Sequence, residues 1–135
     1  MSDTKYTGQQ LEDLVFSALR EELNGIDVYK GGTRPIDSSK KDIVVMFHEG
    51  SVGKYQEGSV LVNAYIPDIV GTDGLYYKDI VSCKEAEYLL LDLDSLLTKK
   101  LGILFENKDM LYATEDNNNN QHIISLKLRF KHIYY

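Results

Sequence analysis

Two amphipathic helical stripes, separated by strand-like segments, constrain the fold of this chain most. In residues 7–23, apolar side chains recur with the 3.6-residue period of one helix face. They are Leu11, Leu14, Val15, Ala18, Leu19 and Leu23. Residues 82–101 show a second such stripe, formed by Ala86, Leu89, Leu90, Leu93, Leu96 and Leu97. Glycines 25 and 102 follow the two stripes, as is typical of helix C-termini.

Between and after the stripes, the apolar residues follow strand patterns. Residues 26–29, 43–47 and 59–66 read as three strands, and residues 110–114 and 121–133 as the arms of a hairpin with Asn117–Asn120 at its tip. In the last arm, alternate residues are apolar, and basic residues lie between them. The order α-β-β-β-α-β-β predicts one α+β domain over residues 1–135. The two helices would pack on one face of a mainly antiparallel or mixed sheet.

This pattern also predicts details that a structure can test. Residues 31–41 and 68–81 are expected to be loops, and residues 50–58 a connection rich in turn residues. Ser82 and Glu85 are expected to form the capping box of the second helix. One core is expected to unite the helices and strands. Its members would be Leu14, Val15, Leu19, Leu89, Leu90, Leu93, Leu97, Val44, Val62, Leu126 and Leu128.

Charge and cysteine content exclude several classes. Fifteen Lys and Arg stand against 21 Asp and Glu, a formal net charge of -6. An acidic chain is a poor general nucleic-acid binder, so no sequence-specific nucleic-acid partner is expected. The one cysteine cannot form an internal disulfide. No apolar run approaches the length of a membrane helix, so we expect a protein made in the cytoplasm, with no membrane partner.

Candidate catalytic residues are few. His48, His122 and His132 do not form a metal-binding motif, and their spacing assigns them no role. Cys83 lies in the first turn of the second helix, but no Cys-centred catalytic signature surrounds it. The Gly53-Lys54 pair lacks the glycine and the hydroxyl residue of a phosphate loop. We therefore expect no enzyme, no cofactor and no metal site.

Two features are typical of protein interfaces. The chain has ten tyrosines and no tryptophan, and Tyr76 and Tyr77 lie together in the segment 68–81. Lys127, Arg129 and Lys131 would emerge on one sheet face. This row is either a solvated face that blocks strand addition or an interface with an acidic neighbour, and the sequence favours neither.

The element order, with the phrases Gly-Gly-Thr-Arg-Pro at 31–35, the strand-like run 58–68 and Leu-Arg-Phe-Lys at 128–131, resembles the tail terminator or tail completion proteins of long-tailed bacteriophages and prophages. The similarity covers about residues 9–133 and contains no specific motif. It implies a structural α+β subunit that assembles into a homo-oligomeric ring, commonly hexameric, and joins other tail or head–tail proteins in the virion. By the same analogy, the loops 31–41 and 68–81, with Arg34, Tyr76 and Tyr77, would make the contacts. The alternative is a small-ligand-binding or regulatory α+β domain of a bacterial cell.

Overall fold

The computed structural model describes residues 4–134. Helices and strands follow one another in the order α1 (Gly8–Glu22), β1 (Asp27–Lys30), β2 (Asp42–Val52), β3 (Tyr55–Pro67), β4 (Ile69–Val70), β5 (Tyr76–Tyr77), α2 (Ile80–Leu91), α3 (Leu93–Leu101), β6 (Leu104–Glu106), β7 (Ala113–Asp116) and β8 (Gln121–Ile133).

Six of these strands form one mixed sheet. Its order is β1-β2-β3-β8-β6, and β7 also pairs with β8. Strand β1 runs parallel to β2, whereas the other neighbours are antiparallel. The predicted α+β fold, with helices on a mainly antiparallel mixed sheet, is confirmed.

The helices lie on one face of this sheet, which we call the helix face. Helix α1 packs on β1 and β2, α2 on β3 and β8, and α3 on β6 and α1. Most of the predicted core residues are buried there, while Leu14 and Leu89 are only partly buried against it. Val44 was wrongly assigned to this core. It alternates with Ile43 and Val45, and therefore lies, buried, on the opposite face, which we call the outer face.

The first helix begins at Thr7, whose hydroxyl accepts the Gln10 N–H at 3.2 Å. The Gln10 side chain accepts the Thr7 N–H in return, at 2.9 Å. The predicted second helix is divided at Asp92 into α2 and α3. The predicted capping box at Ser82 is wrong, because the N-cap is Asp79 and Ser82 lies inside the helix.

The predicted connection 50–58 is also wrong. Strands β2 and β3 continue through it and meet in a tight turn at residues 53–54. Gly50 and Gly58 are paired in the ladder, and the absence of a Cβ at Gly58 lets the two backbones approach closely. A β-bulge at His48 interrupts the ladder. Glu12 of α1 lies off the apolar stripe of the helix, yet it is buried. Its Oε1 accepts a hydrogen bond from the Phe47 N–H beside this bulge at 2.9 Å.

The C-terminal hairpin forms as predicted, with its first arm shifted. That arm is β7, and Asn120 adopts the left-handed conformation at the tip with φ of 50°. The three-residue strand β6, which periodicity does not reveal, pairs with the far end of β8.

Candidate functional site

An exposed apolar hairpin projects from the sheet where the sequence predicts a loop. Strands β4 and β5 pair Ile69 with Tyr77 and Val70 with Tyr76. Side chains of directly paired residues share a face, so the two pairs occupy opposite faces of the hairpin. All four side chains are 47–62% exposed, and Leu75 at the turn is 61% exposed. We call residues 69–77 the arm, and neither of its faces is covered by the rest of the described chain.

The arm ends in an ordered turn. The Gly71 N–H donates to the Leu75 carbonyl at 2.8 Å, and Gly74 has a φ of +79°, which favours glycine. The Asp73 carboxylate accepts two hydrogen bonds, one from the Tyr77 hydroxyl and one from the Leu75 N–H at 2.9 Å. Both hydrogen bonds, that of Tyr77 first, lower the pKa of Asp73, and the same contact raises the pKa of Tyr77. The tip therefore carries a defined negative charge.

Both ends of the arm are anchored. Asp68 and His122, whose side chains are 10% and 9% exposed, meet at 2.7 Å between Oδ1 and Nδ1. The Asp68 N–H also donates to the Asn120 carbonyl at 2.9 Å. At the other end, the Asp79 carboxylate accepts the N–H and the hydroxyl of Ser82, which lowers the pKa of Asp79. The arm thus leaves the body at two fixed points.

A shallow apolar groove of about 440 Å³ lies further along α2. Its apolar side chains come from α2 and from the segment after β6, and its rim is charged. The lining residues are Lys84, Glu87, Tyr88, Leu91, Asp109, Met110 and Leu111. Tyr88, Leu91 and Met110 are exposed. We call this depression the α2 groove. The periodicity of the sequence does not reveal it, because its two sides are about 20 residues apart in the chain.

The predicted basic row emerges on the outer face, but it does not stand alone. Lys127 lies 3.9 Å from the Glu49 carboxylate, and the Lys131 ammonium lies 4.0 Å from the Tyr55 ring centre. In the strand register, Arg129 faces Glu106 and Lys131 faces Glu57. Three carboxylates from other strands therefore line the same depression as the row, together with a fourth cation, Lys108, which lies 3.5 Å from Glu106. The surface has mixed charge.

Arg34 lies against the outer face, and its partner Gln121 pairs with Pro67, just before the arm. The Arg34 Nε donates to the Asp42 carboxylate at 2.5 Å, its Nη2 to Gln121 Oε1 at 3.3 Å, and its guanidinium lies 4.0 Å from the Tyr65 ring centre. The Asp42 side chain is 0% exposed and that of Arg34 is 13% exposed. This ion pair fastens the loop 31–41 to the sheet.

The histidines and the cysteine have structural surroundings. His48 Nδ1 lies 3.0 Å from the Ser59 hydroxyl at the bulge, and the buried His132 Nε2 donates to the Thr4 carbonyl at 2.7 Å. Cys83 is buried, and burial raises the pKa of its thiol, which disfavours the nucleophilic thiolate. Within residues 4–134, no group of three or more His, Cys, Asp or Glu side chains is placed to hold a metal ion.

Two further observations bear on function. An apolar depression between α2 and the β2–β3 end of the sheet measures about 200 Å³, below the roughly 300–1,000 Å³ of ordinary ligand pockets. Among residues 4–134, every helix is too short or too polar to cross a membrane. In comparisons with known proteins, no family model matches this chain, and no curated protein matches it.

Proposed function

We propose that this protein is a structural assembly subunit that binds copies of itself, and that it completes a phage or prophage tail as its resemblance to tail terminators implies. The observation that carries the proposal is the arm, which exposes apolar side chains on both of its faces. Tyr76 and Tyr77, two of the predicted interface residues, lie in its second strand.

The arm is difficult to explain in a solitary monomer. A two-stranded hairpin is at best marginally stable in water, and exposed contiguous apolar surface is typical of interaction sites. Tyrosine suits such a site, because its ring buries apolar area while its hydroxyl stays hydrogen-bonded. An arm of this kind gains stability when another molecule covers it.

The remaining features support a structural role. Burial raises the pKa of the Cys83 thiol, which disfavours a nucleophilic thiolate, and Asp68 contacts His122 at the base of the arm. The α+β architecture agrees with the expectation from the resemblance, and a ring-forming subunit needs no cofactor. Tail or head–tail proteins would then be the further partners of the assembled ring.

Sedimentation velocity over a range of protein concentrations tests the proposal, with negative-stain electron microscopy of the largest species. The wild-type chain is expected to associate as its concentration rises, and to form rings. Leu75→Ser with Tyr76→Ser should weaken association, because both side chains leave the arm. Val52→Ser is the matched control, since Val52 is as exposed as Leu75 but lies at the β2–β3 turn, outside both loops expected to make contacts. A wild-type chain that stays monomeric throughout would contradict the proposal.

A further inference from the structure

We propose that the arm of one copy binds in the α2 groove of the next copy, which makes the contact between subunits head-to-tail. The inference rests on the proposed self-assembly and names the two surfaces that would perform it. The arm and the groove are different parts of the chain. Both are exposed in the part of the chain that the structure describes.

The two surfaces match in polarity. The arm presents Leu75 and Tyr76 near its tip, and the groove presents Tyr88, Leu91 and Met110. Burying large apolar and aromatic side chains at the centre of a contact provides most of the affinity of protein interfaces. The arm protrudes and the groove is a depression, so their shapes are complementary.

The two surfaces also match in charge. The arm carries the Asp73 carboxylate at its tip, and Lys78 follows its second strand. The lining of the groove has one cation, Lys84 on α2, and two carboxylates, Glu87 one turn further along the same helix and Asp109 on the segment after β6. Unlike charges meet when the tip of the arm points toward Lys84 and Lys78 lies beside Glu87. The opposite orientation would bring like charges together, so charge selects one direction of docking.

The arm does not reach the groove of its own chain. Helix α2 begins three residues after the arm, and Tyr88 follows Ile80 by eight residues, or about 12 Å of helix. Asp68 and Asp79 hold the two ends of the arm through His122 and Ser82. An arm that binds in the groove therefore belongs to another copy. Because donor and acceptor surfaces differ, each copy can bind two others, and the chain of contacts closes into a ring or continues as a filament.

Disulfide trapping tests this contact. A chain carrying Leu75→Cys is mixed with a chain carrying Met110→Cys under mild oxidation, and a crosslinked heterodimer is expected. A chain carrying both substitutions should give a ladder of covalent oligomers. The native Cys83 is buried and stays out of the reaction. The matched control pairs Leu75→Cys with Val52→Cys, because Val52 is as exposed as Leu75 but lies at the β2–β3 turn.

Charge exchange tests the orientation. Lys78→Glu in the arm-donating chain should lower the crosslinking yield about two- to fivefold, because it places a carboxylate beside Glu87. Glu87→Lys in the groove-donating chain should restore the yield. A yield that Glu87→Lys does not restore would overturn the proposed docking.

Sedimentation of the wild-type chain separates this inference from the proposed function. If the wild type assembles but Leu75→Cys and Met110→Cys crosslink no more than the Val52→Cys control, the arm-to-groove contact is wrong and self-assembly stands. If the wild type stays monomeric and the pair does not crosslink, both are overturned.

Discussion

Arg34→Ala is expected to lower the free energy of unfolding by about 3–5 kcal/mol, because it leaves a buried carboxylate without its cation. The Asp42 side chain is 0% exposed, and the Arg34 Nε lies 2.5 Å from its Oδ1. The Ser38 hydroxyl still donates to Oδ2 at 2.7 Å, so we place the loss near the lower end of that range. The loop 31–41 should also detach from the outer face.

Urea unfolding followed by circular dichroism measures this loss, since a chain of this size is suited to two-state treatment. All variants are compared at one low protein concentration, because self-association would add to the apparent stability. Arg129→Ala is the matched control: Arg129 is an exposed arginine on the same face, and its loss should change the free energy of unfolding by no more than about 0.5 kcal/mol. Asp42→Asn combined with Arg34→Met should cost less than Arg34→Ala alone, because it removes the uncompensated charge. If Arg34→Ala unfolds at the same urea concentration as Arg129→Ala, the ion pair does not fasten the loop.

Three further predictions concern the core, the thiol and the β2–β3 hairpin. Leu93→Ala should cost about 2–5 kcal/mol in urea unfolding, because Leu93 is buried between helices and sheet; an unchanged midpoint would refute this. Cys83 should resist a thiol-specific reagent at pH 8 in the folded chain and react readily in urea, because burial raises its pKa; fast labelling of the folded chain would show that the site is open. Gly58→Ala should cost about 1–3 kcal/mol, since the added Cβ would lie 2.0 Å from the Glu49 carbonyl oxygen, whereas Gly53→Ala, which enters open space, should change the melting temperature little.

Local periodicity was enough for the framework of the fold. The stripe of α1 and the alternation in β8 each repeat over more than ten residues, and such long patterns leave one way to bury the apolar side chains. Gly102 ends α3 in the left-handed conformation, as its position after the stripe predicts. Shorter sequence patterns did not predict the corresponding elements. Strand β6 has three residues, too few to show a period, and the division of the second helix at Asp92 leaves its apolar spacing intact.

Only the tertiary structure decided which charges meet. Arg34 and Asp42 are eight residues apart, and the loop between them had to fold onto the sheet before the pair became visible. Glu12 reaches the Phe47 N–H across 35 residues, so the helix pattern, in which Glu12 lies off the apolar stripe, does not reveal its burial. In the same way, the basic row of β8 is evident from alternation within one strand. The carboxylates beside it come from β2, β3 and β6 and depend on strand order.

For the arm too, the sequence determined some properties and the tertiary structure determined others. The turn residues of the arm predicted a loop over residues 68–81, and the resemblance to tail terminators, together with Tyr76 and Tyr77, implied that this segment makes contacts. Both faces of the arm are exposed because the helices and the main sheet do not pack against them, and this depends on the tertiary structure. A residue's exposure is a property of the packed chain, whereas its polarity and local period belong to the sequence. The sequence by itself therefore determined the helices, the principal strands and the faces of β8, and the tertiary structure decided the buried ion pairs, the exposed arm and the groove that could receive it.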